Sequence, residues 1–254
     1  MKEGRRTFLK VAGLTALGAA GGSLFGQHAK GAVEEGARSG GGRRWAMVID
    51  PRRCLRKDGC TACMDVCDKV HNVPHIPNPK HEVKWIWRQE WEEAFPEQEA
   101  QYIDPALTSS NVVVFCNHCD NPPCVRVCPT GATFRRDDGI VMMDWHRCIG
   151  CRYCMAGCPY GSRSFNWEDP RLYLKEENPD FPTRTKGVVE KCTLCEERLD
   201  KGQPPACVEA CPEKAMVFGD LDDPDSEVRE LLRSRFAVRR KASLGTHPEI
   251  YYLV

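Results

Sequence analysis

Four groups of four cysteines organise this chain, with none left over. They are Cys54, Cys60, Cys63 and Cys67; Cys116, Cys119, Cys124 and Cys128; Cys148, Cys151, Cys154 and Cys158; and Cys192, Cys195, Cys207 and Cys211. A chain of 254 residues is long enough for one or two small cores. Aromatic residues make up only 8% of this one, so much of the usual hydrophobic material is missing. Groups held by cysteine, which tie distant backbone segments together, have to supply the rest of the organisation.

The spacing narrows what those groups are. Cys148 to Pro159 holds four cysteines in eleven residues followed by proline, a run suited to wrapping one cubane iron–sulfur cluster. Thiolate is the soft ligand that such iron prefers. In runs of this kind the last cysteine sits on the next turn, points away, and ligates a neighbouring cluster. Pro129, Pro159 and Pro212 stiffen that exit. The rule predicts four [4Fe-4S] clusters with crossed ligands. Cys54, Cys60 and Cys63 are completed by Cys211, and Cys192, Cys195 and Cys207 by Cys67. Cys116, Cys119 and Cys124 are completed by Cys158, and Cys148, Cys151 and Cys154 by Cys128.

The first run is irregular. Five residues separate Cys54 from Cys60, and no proline follows Cys67. Either Arg56-Lys57-Asp58 bulges outward and all four ligands are kept, or this cluster is absent or has three irons. Two other uses of cysteine compete. Zinc suits paired Cys-x-x-Cys, and the last run, with eleven residues between Cys195 and Cys207, would pass alone as a zinc ribbon. A secreted disulfide framework is the other, although the tight third run is foreign to it.

Two internal repeats set the expected architecture. Val48-Ile49-Asp50-Pro51-Arg52-Arg53-Cys54 parallels Met142-Met143-Asp144-Trp145-His146-Arg147-Cys148. Pro122 to Pro129 likewise parallels Pro205 to Pro212. The chain therefore reads as two copies of a two-cluster unit. Asp137-Asp138-Gly139 between two short apolar strands predicts a hairpin in the inner copy. The outer copy has its strands at its ends, 46–50 and 215–220, which are expected to pair antiparallel. The fold class is α+β: tandem bacterial-type ferredoxin units, the inner inserted in a split outer unit, with short hairpins, short helices and loop insertions. The expected divisions are 45–70 with 192–220 (outer unit), 112–160 (inner unit), 71–111 and 161–191 (insertions), and 221–254 (a tail with a helix near Ser226–Arg235). The group Trp85, Trp87, Trp91 and Phe95 reads equally as a partner surface or as core packing. His118 is expected beside a cluster without ligating it. His146 and Arg147 read as surface residues or as donors to a cluster. Arg239-Arg240-Lys241 reads as solvated surface.

Residues 1–31 read as a targeting segment, with Arg5 and Arg6 ahead of a short, glycine-broken apolar run and a linker at 32–44. This resembles a twin-arginine export signal, which carries a loaded, folded domain across the membrane. The run falls short of the roughly 20 apolar residues of a membrane span. Without residues 1–31 the chain has 31 basic and 35 acidic residues, so no basic field points to nucleic acid. No nucleophile–base constellation, phosphate loop or dinucleotide fingerprint points to a small-molecule substrate. What remains is an electron relay.

The motifs also resemble a known family. Cys-Asn-His-Cys-Asp-Asn-Pro-Pro-Cys (Cys116–Cys124), Cys-Ile-Gly-Cys-Arg-Tyr-Cys-Met-Ala-Gly-Cys-Pro-Tyr-Gly (Cys148–Gly161), Ser162–Trp167, Phe181–Cys192 and Leu244–Pro248 are similar to the NrfC/DmsB/PsrB-type electron-transfer subunits of membrane-bound oxidoreductases. Within that family they resemble the DsrO type, the exported subunit of the sulfite-reduction-associated complex. The resemblance implies a quinone-reactive multi-helix membrane subunit and a multihaem cytochrome as partners, the twin-arginine translocase during export, and a place on the periplasmic face of the cytoplasmic membrane. The beta subunit of a molybdopterin enzyme, such as a polysulfide or dimethyl sulfoxide reductase, is the neighbouring alternative.

Overall fold

Short apolar strands separated by cysteine loops cannot form one large sheet, and the described residues build four small ones instead. The computed structural model describes residues 42–57, 59–98 and 102–254. Arg5, Arg6 and nearly all of the expected linker lie outside the described residues. In chain order the strands are β1 (Trp45–Ile49), β2 (Ile86–Glu90), β3 (Asn111–Phe115), β4 (Thr133–Arg135), β5 (Val141–Met143), β6 (Ser164–Phe165), β7 (Val189–Glu190), β8 (Met216–Asp220), β9 (Ala237–Val238) and β10 (Ile250–Leu253). The α-helices are α1 (Pro51–Leu55), α2 (Ala62–Val70), α3 (Trp91–Ala94), α4 (Pro105–Thr108), α5 (Pro123–Arg126), α6 (Tyr153–Ala156), α7 (Glu196–Leu199), α8 (Ala206–Glu209) and α9 (Glu227–Ser234). Most are one turn long, enough to aim a cysteine but too short to be stable alone.

The largest sheet runs β8-β1-β10-β9. β1 pairs antiparallel with β8, Trp45 opposite Asp220 and Ile49 opposite Met216, as the split outer unit requires. On its other edge β1 pairs parallel with β10, Met47 opposite Ile250. The tail thus completes the sheet. Successive β1 side chains alternate faces. Ala46 and Val48 pack with Val228 of α9, while Met47 and Ile49 join the main core. Ser226 caps α9, its hydroxyl accepting from Arg229 N–H. Its place matches the helix expected in the tail.

The inner hairpin forms as Asp-Asp-Gly predicts, with Thr133 opposite Met143 in the β4–β5 pair. Segment 71–111 is built into the core. β2 pairs antiparallel with β3, Ile86 opposite Phe115, and so anchors the strand that delivers Cys116. Trp85, Trp91 and Phe95 are each 1% exposed. Of the two readings of that group, core packing holds for these three, with Phe95 meeting Trp91 and Tyr252 ring to ring, while Trp87 is half-buried at the core's edge. Rings of that size supply much of the apolar area that the core buries.

Segment 161–191 is stitched down by β6–β7 and by a buried polar cluster. Arg184 and Glu190 pair at 2.5 Å, both side chains fully buried. Trp85 Nε1 and Asn166 Nδ2 also donate to Glu190, at 3.0 and 2.6 Å. Arg184 donates to the carbonyls of His71 and Asn72. Both insertions and the end of α2 thus meet at one buried ion pair.

Candidate iron–sulfur relay

The repeated Asp-x-x-x-Cys has the same physical role in both copies. Asp50 Oδ1 accepts from the backbone N–H of Arg52 and Arg53 at 3.1 and 3.4 Å. Asp144 Oδ1 accepts from His146 and Arg147 N–H at 2.9 and 3.2 Å. Each carboxylate folds the turn that presents the next cysteine. His146 and Arg147 themselves are exposed, the surface alternative of their two readings.

The sixteen thiols gather in four sets. Cys54, Cys60, Cys63 and Cys211 line one hollow with Ile49, Pro212 and Met216. Cys116, Cys119, Cys124 and Cys158 line a second, with Tyr160 and Arg163 in its wall. Cys128, Cys148, Cys151 and Cys154 line a third. Cys67, Cys192, Cys195 and Cys207 form the fourth set, all buried, where the three other thiolates add to burial in holding the Cys67 thiol well up. In every set the run's last cysteine comes from another run. Helix α2 makes one such split directly: Cys63 and Cys67, one turn apart, serve different sets. In the irregular first run Arg56 and Lys57 are exposed, so the extra residues loop outward and Cys54 still reaches its set; Asp58 lies outside the described residues.

The sets follow one another in a file. Cys63 is within electrostatic reach of Cys207, Cys192 of Cys116, and Cys154 of Cys124. The file therefore runs from the Cys54 set through the Cys67 set and the Cys116 set to the Cys148 set. Its ends are the more open: Cys54, Cys60 and Cys211 at one, Cys128, Cys148 and Cys151 at the other, are half-buried. In the middle only Cys158 is not fully buried.

The surroundings are those of anionic sulfur. Backbone N–H groups donate to Cys128 Sγ (from Thr133, 3.4 Å), Cys192 Sγ (Leu194, 3.4 Å), Cys195 Sγ (Ala206, 3.4 Å) and Cys211 Sγ (Ala215, 3.2 Å). Burial pushes the thiols of Cys63 and Cys192 up to about 12. Such thiols are ligands only once a metal displaces their protons. Burial also pushes Cys116 up, but His118, Lys191 and Arg163 overcome it and hold the thiol well below its usual range. His118 Nδ1 accepts from Val141 N–H at 3.1 Å, which fixes the ring beside Cys116, its side-chain hydrogen-bond partner. Two buried N–H-bearing nitrogens of Arg240, Nε and one terminal nitrogen, have no partner in the polypeptide. Unpaired buried donors beside a four-thiol hollow fit an anionic metal–sulfide group, so the residues present suit [4Fe-4S] clusters.

The loops that hold the cysteines are conformationally demanding. His118, Arg152, Leu194 and Cys195 all lie at positive φ, between 42° and 62°. Left-handed backbone costs about 1–2 kcal/mol for a non-glycine residue, and here it curls the loop around a set. Gly150 (φ 70°) is constrained twice, because a Cβ there would collide with the carbonyl oxygen of Gly187.

Sequence reasoning missed the cations. Arg163 lies inside the Ser162–Trp167 motif, where nothing marks it as different from its neighbours. The reading of Arg240 as solvated surface is corrected: it is fully buried, donating to Gln89 Oε1 at 2.7 Å, with its guanidinium over Tyr160. A basic triplet gives no sign of which member turns inward. The sheet decides that, since β9 and β10 carry the triplet against the core.

Comparison with known proteins decides the family. Residues 110–173 and 179–221 match the 4Fe-4S dicluster domain. The chain is 46% identical over 231 residues to the Hdr-like menaquinol oxidoreductase iron–sulfur subunit 1 of Archaeoglobus fulgidus, covering 83% of each. This chain belongs to the NrfC/DmsB family of iron–sulfur subunits. It is also 39% identical to the menaquinone reductase iron–sulfur cluster-binding subunit of Nitratidesulfovibrio vulgaris (83% of this chain, 88% of the relative). Protein NrfC of Escherichia coli is 40% identical (83% and 80%). The chain is thus an iron–sulfur electron-transfer subunit of respiratory oxidoreductase complexes, and its sixteen cysteines fit four [4Fe-4S] clusters. No helix among the described residues is long and apolar enough to cross a membrane.

Proposed function

We propose that this chain is the exported wire between a quinone-reactive membrane subunit and a redox partner of a sulfur-metabolising respiratory complex, in the manner of the DsrO type. The observation that carries the relay is the file of four four-thiol sets, buried in the middle and half-open at both ends. When bound, each cluster takes up and returns one electron. The residues do the rest. Each set holds its cluster through the crossed ligands: Cys54, Cys60, Cys63 and Cys211; Cys192, Cys195, Cys207 and Cys67; Cys116, Cys119, Cys124 and Cys158; Cys148, Cys151, Cys154 and Cys128. Burial keeps water from most of the two inner sets, and the backbone donors steady the sulfur charge. Electrons enter and leave at the half-open ends, beside Cys54 and Cys148.

Relatives named for menaquinol and menaquinone oxidoreduction support a quinone-linked partner. A multihaem cytochrome, and a periplasmic location reached through Arg5 and Arg6, complete the reading. A relative from Halobacterium salinarum, named for the iron–sulfur part of a putative dimethyl sulfoxide reductase and 38% identical, favours the second reading, a molybdopterin enzyme's beta subunit. Affinity purification of the full chain from membranes separates the two. A multi-helix subunit and a haem protein are expected to co-purify, and a molybdopterin-containing subunit in their place would favour the second. For export, replacing Arg5 and Arg6 by lysine is expected to leave a loaded precursor in the cytoplasm, and undiminished export would contradict the signal.

A further inference from the structure

The positive charge buried in this molecule is not spread evenly along the file. Arg163 is 5% exposed and forms part of the wall of the Cys116 hollow. It donates to Thr133 Oγ1 at 3.1 Å and is also hydrogen-bonded to the Cys154 thiol of the next set. From there it acts on Cys124, Cys116 and Cys158 of that set and on Cys154 of the next. Lys191 is fully buried, its ammonium on the carbonyls of Val141 and Cys192, between the Cys67 and Cys116 sets. Arg240 lies on the far side, over Tyr160, within reach of Cys158 and Cys119. Two of its nitrogens are unpaired.

The other sets are poorer in buried cations. The Cys54 hollow has Glu213 in its wall, and its cationic neighbour is Arg88. At the Cys67 set, Lys191 is opposed by Glu197, which is bonded to His71 at 3.1 Å. The Cys148 hollow shares Arg163, while its own Arg152 is exposed to water, which screens it. An added electron puts one more negative charge on a cluster, and a buried cation favours that most where solvent is excluded.

We infer that Arg163, Lys191 and Arg240 together make the Cys116, Cys119, Cys124 and Cys158 set the place on this chain where an electron rests most favourably. The inference builds on the four-cluster reading above. It makes the relay uneven: an electron arriving from either end falls into the third set and waits there for a driving force outward. These three residues are positioning residues for charge and ligate nothing.

The geometry gives each residue a different footprint, which makes the test selective. Potentiometric titration followed by electron paramagnetic resonance would be run on the anaerobically purified full chain and on Arg163→Gln, Lys191→Met and Arg240→Gln. Arg163→Gln is expected to lower the midpoints of the third and fourth clusters, Lys191→Met those of the second and third, and Arg240→Gln that of the third alone. The one signal displaced in all three variants should be the signal reduced first in the unmodified protein. Arg163→Lys, which keeps the charge, should restore most of the Arg163→Gln shift. If the first-reduced signal stays in place in Arg163→Gln and Arg240→Gln while iron content is unchanged, the inference is overturned. If a variant loses iron, the other two footprints still have to intersect at the first-reduced signal, and their failure to do so overturns it equally. Absence of iron from the unmodified protein would instead overturn the four-cluster reading.

Discussion

Arg184 and Glu190 form an ion pair at 2.5 Å from which water is wholly excluded. The carboxylate is shared with Trp85 and Asn166, and the guanidinium also holds the carbonyls at the end of the helix Ala62–Val70. Removing one partner strands a buried charge, which costs about 3–5 kcal/mol. Glu190→Ala is therefore expected to lower the thermal midpoint sharply and to loosen both insertions, as read by amide hydrogen exchange. A change within about 0.5 kcal/mol would show that the pair does not staple the insertions.

Cys128 ends the run that begins at Cys116, but lines the hollow of Cys148, Cys151 and Cys154. Cys128→Ala should damage the cluster of the Cys148 set and spare that of the Cys116 set. Paramagnetic resonance of the variant checks this. Loss of the Cys116-set signal alone would contradict the crossed ligation.

Gly150 and Gly131 both have positive φ, of 70° and 65°. A Cβ on Gly131 meets nothing within 4 Å, whereas one on Gly150 strikes the Gly187 carbonyl. Gly131→Ala should therefore cost about 1–2 kcal/mol with iron retained. Gly150→Ala should displace the Cys148–Cys151 loop and lose about a quarter of the iron. Equal iron content in the two variants would remove the steric argument.

The thiols of Cys63 and Cys192, pushed up to about 12 by burial, are protonated in the cluster-free chain at neutral pH. Binding iron releases those protons. Below that pKa each released proton raises the affinity about tenfold per pH unit. Iron uptake by the cluster-free chain should therefore strengthen steadily from pH 7 to pH 9, with proton release measurable in weakly buffered solution. Uptake independent of pH would mean that these thiols are already ionised.

The cysteine spacing made the relay legible because ligand geometry is local: a cubane fixes which residues a loop can bring together. The hairpin at Asp137-Asp138-Gly139 and the pairing of 45–49 with 216–220 followed from turn chemistry and internal repetition. The parallel seat of Ile250–Leu253 beside Trp45–Ile49 did not, since nothing local in Ile-Tyr-Tyr-Leu names a partner two hundred residues away. The inward turn of Arg240 depends on that seat, so it was hidden for the same reason. Trp85 and Trp91 had two readings because an aromatic group of this kind serves a core and an interface equally well. Their burial is settled by the Ile86–Glu90 and Asn111–Phe115 pairing.

Quantifying iron, acid-labile sulfide and zinc together, in one oxygen-protected preparation of the full chain, tests the four-cluster relay most directly. Four cubanes predict about sixteen iron and about sixteen sulfide per chain, with zinc at trace level. About four zinc without iron or sulfide would contradict the relay and turn these sixteen thiols into structural zinc sites.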